Sequence, residues 1–369
     1  MNLHFKMKLT IVAGARPNFV KIAPIVRAIE HCVKKGLNIH YRLIHTGQHF
    51  DDSMSGSFFE QLGIPDPDIN LECGGGTQAE QTASIMVNFE KELFQYKPDI
   101  VLVVGDVTST MACTITAKKL CIDVAHVEAG IRSGDMNMPE EINRIVTDSI
   151  SNYYFTTTIH AGKNLEIQQI SKEKIYFVGN TMIDSLLFNI NKLKKPDFLK
   201  NEKNILTPFF ILTLHRPSNV DHIHKLTSIV NTISEATNGF DVIFPVHPRT
   251  QKILQKIKLN KNILAVEPQK YLEFLFLIKN AKGIITDSGG ITEEATVMGI
   301  PCITLRNSTE RPETVELGTN ELIGDDLCKL KKFIKLILEK KWKKGSIPDL
   351  WDGHTSDRII SILYSKYNK

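Results

Sequence analysis

A chain of 369 residues, 42% hydrophobic and 23% charged, has the composition of a globular protein with room for two domains and a core in each. Its 45 Lys and Arg against 41 Asp and Glu leave a net charge of +4, too small for this length to point to a nucleic-acid binder. No apolar run approaches the roughly 20 residues that span a bilayer, so no membrane partner is expected. Met1 to Lys8 lacks the apolar core of a signal peptide, and the six cysteines (32, 73, 113, 121, 302 and 328) show no CxxC or Cys/His ligand spacing. A cytoplasmic protein with no metal site follows as the expectation.

In chain order, the first half alternates strands and helices. Lys8 to Ala13 reads as a strand that ends in Gly14-Ala15-Arg16-Pro17-Asn18, and a helical pattern with Ile22, Ile25, Val26 and Ile29 on one face follows. This strand–turn–helix is the phosphate-facing geometry of a doubly wound domain, but it has neither dinucleotide nor P-loop glycine spacing. Arg16 and Lys21 suit a diphosphate, although isolated basic residues are more often solvated surface. His40 to His45 is a second strand, ending in Thr46-Gly47-Gln48-His49. Helical stretches at 51–62 and 78–96 flank a loop containing Gly74-Gly75-Gly76. Ile100 to Val104 is the third strand and runs into Gly105-Asp106. Capping of the next helix and catalysis both explain Asp106.

The stretch 126–144 concentrates the chemistry. A short apolar strand, Ile122 to Ala125, precedes His126-Val127-Glu128, which places Glu128 at a strand end, where open α/β sheets hold their ligands. Pro139 opens a helix with Glu140 and Glu141 in its first turn. Glu128, Glu140 and Glu141 and two arginines, Arg132 and Arg144, fall within nineteen residues around Gly130 and Gly134. Carboxylates gathered at strand ends suit proton transfer, whereas acidic residues in a first helical turn also arise from capping alone. Further strands are expected at Tyr153 to Thr156 and at Ile175 to Val178, where Asn180 is placed to cap the helix containing Asp184.

A lysine- and asparagine-rich segment from Asn189 to Leu206 loses periodicity and marks a boundary, after which βα alternation restarts. Phe209 to Leu214 ends in His215-Arg216, Asp241 to Val246 in His247, and Ile263 to Val266 in Glu267-Pro268-Gln269. Gly283 to Thr286 ends in Asp287-Ser288-Gly289-Gly290, leading straight into a helix whose N–H groups suit a phosphate. Glu293 and Glu294 stand early on that helix, where a carboxylate can take ribose hydroxyls or simply complement the helix dipole. Arg311, after the strand Cys302 to Leu305, has the fork that grips phosphate oxygens.

Taken together and in order, the motifs G-A-R-P (14–17), T-G-Q-H (46–49), G-D (105–106), H-V-E-A-G (126–130), P-E-E-I-N-R (139–144), G-N-T (179–181), H-R (215–216), P-V-H (245–247), T-D-S-G-G (286–290) and T-E-R-P-E (309–313) resemble those of the non-hydrolysing UDP-N-acetylglucosamine 2-epimerases. The resemblance runs from about Lys8 to the final helix. It implies an α/β fold of two Rossmann-like doubly wound domains, glycosyltransferase-B-like, with the active site in the interdomain cleft. Residues 1–190 would carry the catalytic carboxylates, 191–353 would bind UDP, and 354–369 would form a helix packing back on the first domain. A homodimer and the absence of any cofactor are implied as well.

The resemblance also implies a reaction: inversion of C2 in a UDP-linked N-acetylhexosamine by elimination of UDP to a glycal and re-addition. Carried over motif by motif, it makes Asp106, Glu128 and Glu140 the acid/base set and His215 a further essential group near the diphosphate. Arg16, Lys21, Ser288, Gly289, Gly290 and Arg311 would hold the phosphates, Glu294 the ribose, and Gln269, Tyr271 and Phe274 the uracil. Gln48, His49 and His247 match a second, activating UDP-sugar site. Gly75 and Gly76, however, stand where members with that site carry an Arg-Gln pair, and Val107 and Gly134 depart from the usual Thr and Phe. The Gly-Gly-Gly-Thr form also occurs in relatives acting on 2,3-diacetamido sugar nucleotides, so that substrate is the alternative. A retaining glycosyltransferase and a non-catalytic UDP-sugar sensor are weaker fits because the carboxylates are all present, and a hydrolysing epimerase because those relatives bear different motifs around the first Gly-X-Arg turn and around the Glu128 position.

Overall fold

The computed structural model describes residues 6–48, 56–201, 208–237 and 239–367. The chain divides into two compact units, one formed by Met1–Leu187 with Asp349–Lys369 and the other by Phe188–Pro348.

The first unit is a seven-stranded sheet, with β1 (Met7–Ala13), β2 (Ile39–His45), β3 (Ile69–Asn70), β4 (Ile100–Val104), β5 (Asp123–Val127), β6 (Tyr153–Thr156) and β7 (Ile175–Phe177). All pairings are parallel, in the order β3-β2-β1-β4-β5-β6-β7. Every residue of β4 is buried, because a parallel sheet covered by helices on both faces needs apolar side chains on both sides of a central strand. Burying each such Val, Leu or Ile contributes about 1.5–3 kcal/mol. The strand order reverses between β1 and β4, which opens a crevice at their carboxyl ends, where Gly14 and Gly105 lie.

The helix Pro139–Ile150 is unusual in the face it buries. Glu141, Asn143, Arg144, Thr147 and Asp148 are all inside, and a buried polar face holds together only if its groups find partners. The last residues complete this unit. Asp184 accepts bonds from Thr355 N (3.1 Å), Ser356 N (2.7 Å) and Ser356 Oγ (2.8 Å), capping the helix Thr355–Tyr367 from a distant part of the chain. Burial still leaves the Asp184 carboxyl above its ordinary range, although those Ser356 and Thr355 bonds oppose the shift.

The second unit has six parallel strands, β8 (Phe209–Thr213), β9 (Val242–Pro245), β10 (Ile263–Val266), β11 (Ala281–Thr286), β12 (Cys302–Thr304) and β13 (Asn320–Leu322). Their order is β10-β9-β8-β11-β12-β13, so the reversal falls between β8 and β11, whose ends carry His215 and Ser288. The doubly wound architecture expected for each half is thus present. The differences are local. β5 runs two residues further than the apolar run suggested, because His126 and Val127 keep pairing with β6, and Glu128 is the first residue beyond it. β3 and β13, two and three residues long, are too short to leave a periodic signal. The helix expected at 51–62 is seen as Gly56–Leu62, and 51–55 lie outside the described residues.

Candidate active site

Two backbone turns set up the first unit's site. Gly105 follows β4 with φ +71° and Glu128 follows β5 with φ +70°. The second is a left-handed conformation that an L side chain adopts at a cost of about 1–2 kcal/mol. Arg144 joins the two turns. Its Nη2 stands 2.5 Å from Oδ2 of Asp106 and 3.3 Å from Oε1 of Glu128, while Nη1 donates to the Glu128 carbonyl at 2.5 Å. Lys21, from the helix Arg16–Lys34, places Nζ 2.9 Å from Oε1 and 2.7 Å from Oε2 of Glu128. Asn143 donates to the Asp106 carbonyl at 2.9 Å. Two cations thus compensate a carboxylate that is 2% exposed, as a buried charge requires. The Asp106 side chain keeps 22% exposure and stays open to a ligand.

Beneath this group lies a second charged set. His126 is fully buried, with Nδ1 2.7 Å from Oδ1 of Asp148 and Nε2 2.8 Å from the Gly105 carbonyl oxygen. Asp148 Oδ2 accepts from Gly130 N (3.1 Å) and pairs with Arg132 (2.6 Å). Burial alone would raise the Asp148 carboxyl, but His126 and then Arg132 outweigh it and hold it below the ordinary range. The turn before Asp106 and the turn after Glu128 are therefore tied to one another through side chains of β5 and the helix Pro139–Ile150.

In the second unit the organising group is Asp287, fully buried at the end of β11. It accepts from His215 N and Arg216 N (3.1 and 2.9 Å) and from Asn219 Nδ2 (3.2 Å), and it faces His215 Nδ1 at 2.8 Å. Burial opposes ionisation of Asp287, yet His215 and these donors leave it below the usual carboxylate range. The His247 ring lies 5.7 Å from that of His215, and burial, then His215, lower its basicity. The next turn, Ser288-Gly289-Gly290, begins the helix Gly289–Met298, and the Ser288 hydroxyl makes no capping bond to it. On that helix Glu293 pairs with Arg311 Nε at 2.7 Å. Glu294, 4% exposed, is pushed up to about 8 by burial and by Glu293, with a bond from Tyr271 opposing the shift.

A model of the UDP-N-acetylglucosamine 2-epimerase family matches residues 31–364. The UDP-N-acetylglucosamine 2-epimerase of Methanocaldococcus jannaschii is 47% identical over 375 residues, covering 98% of this chain and 100% of that protein. This chain belongs to the UDP-N-acetylglucosamine 2-epimerase family. The UDP-2,3-diacetamido-2,3-dideoxy-D-glucuronate 2-epimerase of Pseudomonas aeruginosa is 40% identical over 321 residues, 86% of this chain and 88% of that one. The crystal structure of the M. jannaschii UDP-GlcNAc 2-epimerase in complex with UDP-GlcNAc and UDP matches with a TM-score of 0.86 at 45% identity, over 97% of this chain and 100% of that one. The fold is accordingly that of two Rossmann-like, glycosyltransferase-B-like domains.

Within this epimerase, the residues singled out in the sequence fall into groups. Asp106, Glu128 and Lys21 come together through Arg144. Glu140 is exposed on the first turn of its helix, outside that hydrogen-bonded group. Its neighbour Glu141 turns inward and accepts from Ser133 N and Oγ and from Gly134 N. Asp106 does not cap the following helix, whose first residue is Thr108 and whose cap position, Val107, makes no side-chain bond. Arg16 stacks over the Phe58 ring at 5.0 Å. Gln48 accepts from Ser109 N and Oγ at 3.0 and 2.6 Å, and His49 lies outside the described residues. Gln269 donates to the Glu267 carbonyl, and Phe274 and Tyr271 sit half-buried on the helix Tyr271–Asn280. Sequence reasoning missed Arg144, His126, Asp148 and Asp287 as organisers. The available signal was a polar residue inside an otherwise apolar strand or on a buried helix face.

Proposed function

We propose that this protein inverts C2 of a UDP-N-acetylhexosamine, interconverting UDP-GlcNAc and UDP-ManNAc. The observation that carries the reading is the Arg144 bridge, which holds Asp106 and Glu128 side by side at the ends of β4 and β5. The proton on C2 is weakly acidic, so its removal needs a positioned base and a leaving group whose charge is stabilised. A carboxylate of the set Asp106, Glu128 and Glu140 takes that proton as the C1–O bond breaks, its electron pair leaving with UDP and a C1=C2 double bond remaining. In the return step a carboxyl of the same set delivers a proton to the opposite face of C2, and a diphosphate oxygen re-forms the bond to C1. Atoms and electrons balance without an oxidant.

The second unit supplies what the leaving group needs. Ser288, Gly289 and Gly290 offer the N–H groups of an uncapped helix start to the diphosphate, with Arg311 and His215 adding donors. Glu294 takes the ribose hydroxyls, and Gln269, Tyr271 and Phe274 border the uracil. The six thiols support a reducing compartment, so the reading places the protein in the cytoplasm, as a homodimer by family resemblance and feeding surface-glycan assembly.

Gly74-Gly75-Gly76-Thr77 and the 40% identical Pseudomonas relative favour a second reading, a UDP-2,3-diacetamido sugar as substrate. Proton NMR of the products, with kcat/KM measured for both substrates, tests the two together. UDP-ManNAc formed from UDP-GlcNAc supports the first. A preference of a hundredfold or more for the diacetamido sugar supports the second. Free N-acetylmannosamine with UDP would mean hydrolysis and defeat both.

A further inference from the structure

The turn Ser288-Gly289-Gly290 overlies a buried charge to which the roles above give no task. Arg306, two residues beyond β12, is 8% exposed. Its Nη2 donates to Oε1 of Glu310 at 2.9 Å, whereas its Nη1 has no hydrogen-bond partner among the described residues. A buried donor left unsatisfied costs about 1–3 kcal/mol, and more when it is charged. Such a group in a native fold calls for an acceptor. Nη1 is aimed at the helix start, for a Cβ built on Gly289 would stand 3.5 Å from it. Oε2 of Glu310 would lie 3.8 Å from that Cβ, and Oε1 of Glu310 is 3.9 Å from Arg216 Nη2. Two guanidiniums therefore share one carboxylate beside a helix N-terminus whose Ser288 hydroxyl forms no cap. Nη1 of Arg306 is the nitrogen of this group that still lacks an acceptor among the described residues.

We propose that Arg306 is a diphosphate-binding residue, whose Nη1 supplies a charged donor to the anion seated on the Ser288-Gly289-Gly290 turn. This rests on the UDP-sugar reading and adds to it a residue that lies outside the sequence motifs. It also accounts for glycine at 289, since a side chain there would stand between the guanidinium and the anion.

Calorimetric titration of UDP and of uridine into wild type, Arg306→Met and Arg306→Lys tests it. A single charge-assisted bond corresponds to roughly 10–100-fold in affinity. Arg306→Met should therefore weaken UDP by that factor and leave uridine within about twofold. Arg306→Lys, which keeps the charge but not the fork, should fall between. Gly289→Ala, whose Cβ meets only ordinary contacts, should fold and also lose UDP affinity selectively. Equal UDP affinity in wild type and both Arg306 variants overturns the proposal. A parallel loss of UDP and uridine also overturns it, because that is the mark of a structural role. If Arg306→Met does not fold, Arg306→Lys and Gly289→Ala decide by the same comparison. Wild type that binds uridine but not UDP defeats the inference alone, and wild type that binds neither defeats the UDP-sugar reading as well.

Discussion

Lys21 and Glu128 are 107 residues apart, yet the Lys21 ammonium sits within 2.9 Å of both oxygens of the Glu128 carboxylate. The pair ties the first helix of the chain to the turn after β5. It sits beside the same Arg144 that reaches Asp106, so the group behaves as one charge network rather than as separate contacts.

A double-mutant cycle measures that network. Lys21→Met leaves a carboxylate that is 2% exposed with one cation instead of two, and it should cost about 1–3 kcal/mol of stability. Glu128→Gln should cost a similar amount. The double variant should lose less than the sum by at least about 1 kcal/mol, read from urea midpoints. Additivity within about 0.5 kcal/mol would show that the pair does not couple.

Glu294 gives a pH dependence. Its carboxyl is raised to about 8, so the free protein holds it protonated at neutral pH, and the folded state loses stability as pH rises from the ordinary carboxyl range to about 8. If ribose hydroxyls donate to its ionised form, binding must expel that proton below pH 8. Uridine, which carries no titrating phosphate, should therefore bind roughly 25-fold more tightly at pH 8.5 than at pH 6.5. Glu294→Gln should flatten the profile. A flat profile in wild type would remove Glu294 from ribose binding.

Regulation is the third prediction. Gly75 and Gly76 both have positive φ, +81° and +76°, a backbone that L side chains rarely adopt, so an Arg-Gln pair would be strained on this path. Gln48 is already engaged by Ser109. The protein should convert purified UDP-ManNAc from the first turnover, without a lag and without added UDP-GlcNAc. A long lag that trace UDP-GlcNAc abolishes would show that a second UDP-sugar site operates despite the glycines.

Strand runs and the polar motifs at their ends were legible because each is local. A buried parallel strand is a short apolar run, and the residue that stops it is the one that faces a ligand. Partners were not legible. Arg144 finds Asp106 across 38 residues, His126 finds Asp148 across 22, and Asp287 finds His215 across 72, and no periodicity encodes such pairings. Glu140 and Glu141 show the limit within one turn. The two are identical in type and adjacent, yet one is exposed and the other caps the Ser133-Gly134 turn. Arg306 lies in none of the motifs, because its place beside Gly289 and its bond to Glu310 are set by the fold.

The central claim is that the carboxylates around Arg144 move the proton on C2. NMR of UDP-GlcNAc in D2O with wild type, Asp106→Asn, Glu128→Gln and Glu140→Gln reads this directly, with circular dichroism verifying that each variant is folded. The expected result is deuterium at C2 in both epimers with wild type, and exchange slowed by about 100-fold or more in each amide variant, the size of effect typical for a lost general acid or base. Near-normal exchange in folded Asp106→Asn or Glu128→Gln would contradict the account and leave the Arg144 bridge a structural ion network.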